Sequence, residues 1–185
     1  MLFDMPTILT TSVEAGPNGP LPKEILEMYP NTSVIRRPGE VNAWDNADVR
    51  AAVKATGRKQ VILAGITTDV CVAFLALSLR AEGYDVFVNL EASGTFNERV
   101  AQGALMRMQA AGVQIMNLFS ISAELFRDWR STGPDGAQVI RYVDHYLPSE
   151  GFVVRAHVAA ISSVIVLPGE NATIALTNND PDVFI

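Results

Sequence analysis

A short apolar run that leads through a polar turn into a helix occupies the middle of this chain. Residues Val61 to Ala64 are apolar and include two β-branched side chains, which is typical of a buried strand. A turn begins at Gly65, and Val72 to Glu82 then have helical spacing with Gly83 as a stop. A strand, a turn and a helix in this order favour an α/β fold with parallel strands.

The single cysteine of the chain, Cys71, lies where this helix begins. Free backbone N–H groups and the helix dipole favour a negative charge at that point, and the thiolate is the nucleophilic form of cysteine. Two interpretations stay open on the residues alone. Cys71 is either a nucleophile or a buried cysteine that packs as a small hydrophobic side chain.

Composition limits the classes of protein to which the chain can belong. Its 185 residues are enough for one domain, and 49% hydrophobic with 18% charged residues indicate a globular protein. The net charge of −6, without a run of basic residues, argues against nucleic acid or an anionic membrane as partner. One cysteine excludes an internal disulfide. Neither a signal peptide nor an apolar stretch of about 20 residues is visible, so a cytoplasmic protein is expected.

The rest of the chain repeats the alternation of strands and helices. Glycines and prolines punctuate the pattern, and Ser122 is predicted to cap a helix. Two apolar runs around Pro168 predict a hairpin near the C-terminus, at 164–167 and 173–176. Further strands are predicted at 7–11, 34–36, 85–90 and 114–117, and helices at 23–28, 44–56, 98–111, 122–130, 137–146 and 152–160.

The segment Gly65-Ile-Thr-Thr-Asp-Val-Cys71-Val resembles the nucleophile turn of the isochorismatase-like cysteine hydrolases. Further motifs in the same order resemble one branch of that family, the YcaC-like hydrolases. The resemblance runs from about residue 2 to about residue 160, which predicts one N-terminally truncated hydrolase domain at 1–160 and leaves 161–185 as a tail of unknown role. It implies a three-layer α/β/α sandwich around a mostly parallel sheet. The motifs are Pro6-Thr-Ile-Leu-Thr-Thr, Gly16-Pro-Asn-Gly-Pro, Arg37-Pro-Gly, Asn42-Ala-Trp-Asp-Asn, Ala92-Ser-Gly-Thr-Phe-Asn and Arg127-Asp-Trp-Arg.

The resemblance also implies a chemistry: hydrolysis of a small amide-like or ester-like substrate through a cysteine thioester. Cys71 matches the nucleophile, and a cis peptide bond between Ile66 and Thr67 would let the N–H groups of Thr67 and Cys71 point at one oxygen. Arg37 matches the basic residue of this branch. A guanidinium stays charged, so Arg37 is expected to stabilise negative charge rather than to accept a proton. A surface ion pair is the alternative for Arg37.

By analogy with the same branch, Asn42, Trp44 and Phe74 are expected to line a substrate pocket beside the cysteine. For Trp44, a place in the hydrophobic core is an equally good interpretation. The two histidines, His145 and His157, lie late in the chain, away from where metal-using relatives place their ligands. We therefore expect no metal site and no cofactor.

One part of the family pattern has no counterpart in the sequence. The resemblance implies a catalytic Asp at the end of a first strand, but the match begins near Leu2, so that strand is expected to be missing. Asp69 is better interpreted as a helix cap, and Asp4 has no room for a strand before it. Three hypotheses therefore stay open. The chain is a hydrolase, an inactive, truncated homologue that serves as an oligomeric subunit or binding module, or a protein whose thiol senses redox state.

Association with further copies of the chain is expected as well. The YcaC-like branch forms rings. In addition, the segments 119–126 and 152–158 are more apolar than a small domain needs for its own core. A homo-oligomer that binds a small molecule is thus the predicted state.

Overall fold

The structure is a computed structural model that describes residues 2–160. The chain divides into two compact units. One unit is Met5–Leu118, and the other joins the residues up to Asp4 with those from Phe119 onward. The extent of the predicted domain, residues 1–160, stays a prediction, and the hairpin predicted at 164–176 lies outside the described residues.

Five parallel strands lie in the first unit. Strand β1 (Leu9–Ser12) pairs with β2 (Val34–Arg37). Strand β3 (Gln60–Ile66) pairs with β4 (Asp85–Gly94), which pairs in turn with β5 (Gln114–Met116). The described strands thus form a two-stranded and a three-stranded sheet, and every pair is parallel, as the alternating pattern predicts.

The helices follow the predicted positions with shifted ends. In the first unit they are α1 (Lys23–Met28), α2 (Ala47–Ala55), α3 (Ala73–Ala81) and α4 (Glu98–Ala110). A 3₁₀ turn at Ala43–Asp45 precedes α2, and a π-helical turn at Thr68–Val72 precedes α3. The later helices are α5 (Leu118–Phe126), α6 (Gly136–Tyr146) and α7 (Pro148–Ala160).

Side chains at the helix starts explain two of these differences. The helix predicted from Trp44 is divided at Asn46, whose side-chain oxygen accepts hydrogen bonds from the N–H groups of Asp48 (3.0 Å) and Val49 (3.1 Å). Such an N-cap begins a new helix, because it satisfies backbone donors of the first turn. The prediction that Ser122 caps a helix was wrong: α5 begins four residues earlier, where the N–H of Leu118 donates to the Glu91 carboxylate (2.6 Å).

The core of the first unit lies between the three-stranded sheet and helices α2, α3 and α4. Val86, Val88 and Met108 are fully buried, and Leu79 on α3 is 1% exposed. Ile8 and Ile35, beside β1 and in β2, pack against the same cluster. The two sheets therefore share one hydrophobic core.

Strand β3 is buried on one face only, which corrects the expectation of a fully buried strand. Leu63 is 9% exposed, whereas Ile62 and Ile66, on the opposite face, are 37% and 61% exposed. Within residues 2–160, β3 pairs only with β4 and β1 pairs only with β2. One edge of each strand therefore carries backbone groups without a ladder partner among the described residues.

Helices α6 and α7 form a hairpin in the second unit. Asp135 and Gln138 cap α6 reciprocally, and Arg155 of α7 makes an ion pair with Asp144 of α6. Gly151 lies where α7 approaches α6, since a Cβ atom there would come within 2.8 Å of the Asp144 Cα. Across residues 2–160, none of the helices combines the length and apolar character that crossing a membrane requires.

Candidate active site

Cys71 lies in the π-helical turn that connects β3 to α3. The N–H of Val72 donates to the carbonyl of Thr67 (3.2 Å), five residues earlier, which widens the turn relative to an α-helix. The thiol-bearing residue is half-buried, so the side chain is neither in the core nor fully solvated. This position suits a nucleophile that a small molecule can reach.

The peptide bond between Ile66 and Thr67 is cis, at the position that the resemblance indicates. Thr67 has an extended backbone (φ −96°, ψ 155°) and directly precedes the π-helical turn. Asp69 lies in the first turn, but the cap position belongs to Thr67, whose side chain makes no capping bond. The interpretation of Asp69 as the helix cap was therefore wrong.

Arg37 is fixed at the end of β2 and is 6% exposed. Its Nε donates to the Thr10 hydroxyl (3.0 Å), and its Nη1 donates to the carbonyls of Glu40 and Val41 (3.2 Å to Val41). The Thr10 hydroxyl donates in turn to the carbonyl of Ile35 (2.9 Å). A buried guanidinium with three acceptors has one defined position, which argues against the alternative of a surface ion pair.

Arg37 lies within electrostatic range of Cys71. Burial lowers the pKa of Arg37, and electrostatic interactions with Cys71 and Glu40 oppose this shift in part. Hydrogen bonds from its own backbone N–H and from Asn46 (3.1 Å) lower the pKa of Glu40. The site thus combines a buried cation that interacts electrostatically with Cys71 and an ionised carboxylate on the loop that follows β2.

The three predicted pocket residues make structural contacts. Trp44 is 6% exposed and packs edge to face against Tyr84 in the core, with ring centroids 5.8 Å apart. Asn42 accepts from the N–H of Trp44 (3.1 Å) and donates to the Ser78 hydroxyl (2.9 Å). Phe74 is half-buried against the same core. The core interpretation of Trp44 is supported by these contacts, and a role of all three in a pocket stays a prediction.

Sequence reasoning missed three polar residues around this site. Thr10 and Glu40 hold Arg37 and its loop, and Thr68 is a buried hydroxyl in the turn of Cys71. The adjacency of Glu40 to Arg37-Pro-Gly was a usable signal, because such a turn brings its flanking residues together. The partners of Thr10 and Thr68 are 25 to 27 residues away along the chain, so local pattern could not reveal them.

The two histidines lie in the second unit and are exposed. His145 packs edge to face on Tyr146, with ring centroids 4.4 Å apart. Within residues 2–160, no group of three or more His, Cys, Asp or Glu side chains is arranged to hold a metal ion.

Comparison with known proteins places these features in a family. The model of the isochorismatase domain matches residues 5–118. The chain is 57% identical over 129 residues to the probable hydrolase YcaC of Escherichia coli (strain K12); this match covers 70% of the chain. It covers 62% of the E. coli protein, so the chain spans about three fifths of that curated relative.

Two solved structures extend the comparison to the fold. YcaC from Pseudomonas aeruginosa, solved with hexane-2,5-diol and covalent acrylamide, is 52% identical with a TM-score of 0.79, covering 84% of this chain and 76% of that one. E. coli YcaC, an octameric hydrolase of unknown specificity, is 49% identical with a TM-score of 0.79, covering 84% and 75%. With its parallel strands and flanking helices, this chain belongs to the isochorismatase-like hydrolase family, in the YcaC-like branch, and has that family's α/β fold.

Proposed function

We propose that the chain hydrolyses a small amide or ester through a thioester on Cys71. One observation carries the proposal: the buried guanidinium of Arg37, held by three acceptors, lies within electrostatic range of the half-buried thiol. In the reaction, a general base removes the thiol proton, the thiolate attacks the carbonyl carbon, and the protonated base gives that proton to the departing amine or alcohol. Water then hydrolyses the thioester, which releases the carboxylic acid and restores the thiol. Arg37 stabilises the thiolate and the developing negative charge.

The chemistry of a relative supports a reactive thiol. Acrylamide is an electrophile to which thiolates add, and the YcaC structure from P. aeruginosa, 52% identical to this chain, contains covalent acrylamide. We infer that Cys71, the single cysteine here, adds acrylamide. The backbone N–H groups of Thr67 and Cys71 are the proposed donors to the oxyanion, beside the cis bond that precedes Thr67.

The proposed reaction also needs a general base. The resemblance implies an Asp on a strand ahead of β1. Glu40 is the carboxylate whose charge acts on Arg37, but its lowered pKa and its bonds to Asn46 and Gly39 make it a weak proton acceptor. An inactive homologue that serves as an oligomeric subunit is therefore the second candidate, favoured by the unpaired edges of β1 and β3 among residues 2–160.

Hydrolysis assays separate these two candidates. The purified chain and its Cys71→Ser variant are incubated with a panel of small primary amides and aryl esters, and product is followed by chromatography. The hydrolase proposal expects turnover by the native chain and none above background by the variant. No product with either protein would favour the inactive homologue, and equal rates above background for both would contradict the role of Cys71 as nucleophile.

We also propose a homo-oligomer, on the exposed apolar side chains of the second unit. Phe119 and Leu125 of α5 are 39% and 40% exposed, and Phe152 and Val153 of α7 are 66% and 65% exposed. E. coli YcaC is octameric. Light scattering at micromolar concentrations should therefore give a multiple of the 20.0 kDa chain mass. A monomer mass throughout that range would contradict the proposal.

A further inference from the structure

A bulge in β4 lies beside the turn that carries Cys71. Leu63 is paired with Val88 and Gly65 with Ser93, so a step of two residues along β3 corresponds to a step of five along β4. The side-chain oxygen of Asn89 accepts from the N–H groups of Glu91 (3.1 Å) and Ala92 (3.3 Å). The Ser93 hydroxyl donates to the Asn89 carbonyl (2.7 Å). These bonds replace the interrupted ladder and give the bulge one conformation.

The bulge brings two backbone carbonyls to Thr68, the first residue of the π-helical turn. The Thr68 hydroxyl lies 3.0 Å from the carbonyl oxygen of Ser93 and 2.9 Å from that of Gly94, to which it donates. Thr68 is 1% exposed, so water does not compete for this proton. The hydrogen bonds of this hydroxyl therefore attach the π-helical turn of Cys71 to the end of strand β4.

Gly94 shows how closely the two strands approach at this point. A Cβ atom built on Gly94 would lie 2.8 Å from Cγ2 of Ile66, with which Gly94 is in register. A side chain here would push β4 away from the end of β3 and would displace the Gly94 carbonyl from Thr68. Glycine at residue 94 thus allows the close approach of β3 and β4 that places the Gly94 carbonyl within hydrogen-bonding distance of Thr68.

We propose that Thr68 is a positioning residue for the thiol of Cys71. Thr68 and Cys71 belong to the same π-helical turn, so a bond that fixes one end of the turn fixes the direction of the thiol. The inference rests on the proposed role of Cys71 as nucleophile. It adds that the reactivity of the thiol depends on a hydroxyl that does not touch the substrate.

The test compares Thr68→Val, which removes the hydroxyl at nearly constant shape, with Thr68→Ser, which retains it. The second-order rate of iodoacetamide alkylation is measured from pH 6 to pH 9, alongside urea unfolding. We expect Thr68→Val to lower the rate at pH 7 about tenfold and to change the pH profile, since small misplacements of a reacting group have large effects. Thr68→Ser should recover the native profile to within about threefold, as expected when a hydroxyl that can still donate is kept.

Thr56→Val is the matched control. The Thr56 hydroxyl donates to the Val53 carbonyl (2.7 Å) at the end of α2, so its loss should affect stability but leave the alkylation profile unchanged. If Thr68→Val does not fold, the alkylation profile of Gly94→Ala tests the positioning role instead. This variant retains every hydrogen-bonding group and displaces only the Gly94 carbonyl, which accepts from Thr68.

Two results would overturn different statements. A folded Thr68→Val protein, or in its place Gly94→Ala, with the native alkylation profile would overturn the positioning role alone. A native chain that reacts no faster than a free thiol peptide would overturn the nucleophile on which that role rests, whatever the variants do.

Discussion

An N-terminal extension that supplies a further parallel strand should raise the melting temperature of this chain by on the order of 10 °C. The free edges of β1 and β3 and the exposed side chains of Ile62 and Ile66 offer the place for such a strand among the described residues. Covering these side chains and pairing the edges should stabilise the chain by roughly 3 kcal/mol. Each kcal/mol raises the melting temperature of a chain of this size by about 2–4 °C.

The extension is the segment of E. coli YcaC that the resemblance places ahead of β1, and melting is followed by circular dichroism. One control extension carries prolines at alternate strand positions, which removes donors from the ladder and should abolish the gain. An unchanged melting temperature with the intact extension would contradict the account, because it would mean that both edges already have partners.

The same extension separates structure from chemistry. We expect the intact extension to create or raise Cys71-dependent hydrolysis, because the Asp that the resemblance places at the end of this strand would supply a proton acceptor. A version with Asn in place of that Asp should keep the higher melting temperature without the activity. If both versions hydrolyse equally well, another carboxylate of the chain is the base.

Replacing Arg37 by Met should lower both stability and thiol reactivity. The variant leaves the Thr10 hydroxyl and two carbonyls without their buried donor, which costs about 2–3 kcal/mol in the free energy of unfolding. It also removes the positive charge that acts on Cys71. The alkylation rate at pH 7 should therefore fall about tenfold, because a nearby cation favours the thiolate.

The neighbouring arginine is the matched control for this experiment. Arg36 is 68% exposed in its side chain and pairs with Glu14 (3.0 Å), so Arg36→Met should change stability much less than Arg37→Met does. The alkylation rate of Cys71 at pH 7 in the Arg36→Met variant should equal that in the native chain. A loss of reactivity as large in Arg36→Met as in Arg37→Met would mean that net charge, rather than the fixed guanidinium, controls the thiol.

The sequence is sufficient to predict the strand–turn–helix unit of Cys71, because apolar runs and the glycine stop are local signals. Gly83 has a positive φ of 82° and lies just beyond α3, as a helix stop requires. The resemblance adds Arg37, whose importance no local pattern shows. The structure then explains its fixed position through Thr10 and the carbonyls of the loop after β2.

What the sequence could not show depends on contacts between distant residues. Helix α5 begins at Leu118 because the Glu91 carboxylate, 27 residues earlier, accepts from its N–H. Strand β4 continues through Gly94, four residues beyond the predicted strand at 85–90, because the side chain of Asn89 stabilises a bulge. The exposed face of β3 was unexpected because Val61 to Ala64 has the composition of a strand buried on both sides.

The central claim, that Cys71 is an activated nucleophile, is tested most directly by the rate at which iodoacetamide alkylates the folded chain. The sequence contains one cysteine, so every adduct detected by mass spectrometry is at that residue. Cys71→Ser provides the background. The account predicts alkylation at pH 7 faster than that of a short peptide with a free thiol. A rate at or below that of the peptide would contradict it and would make Cys71 a packing residue.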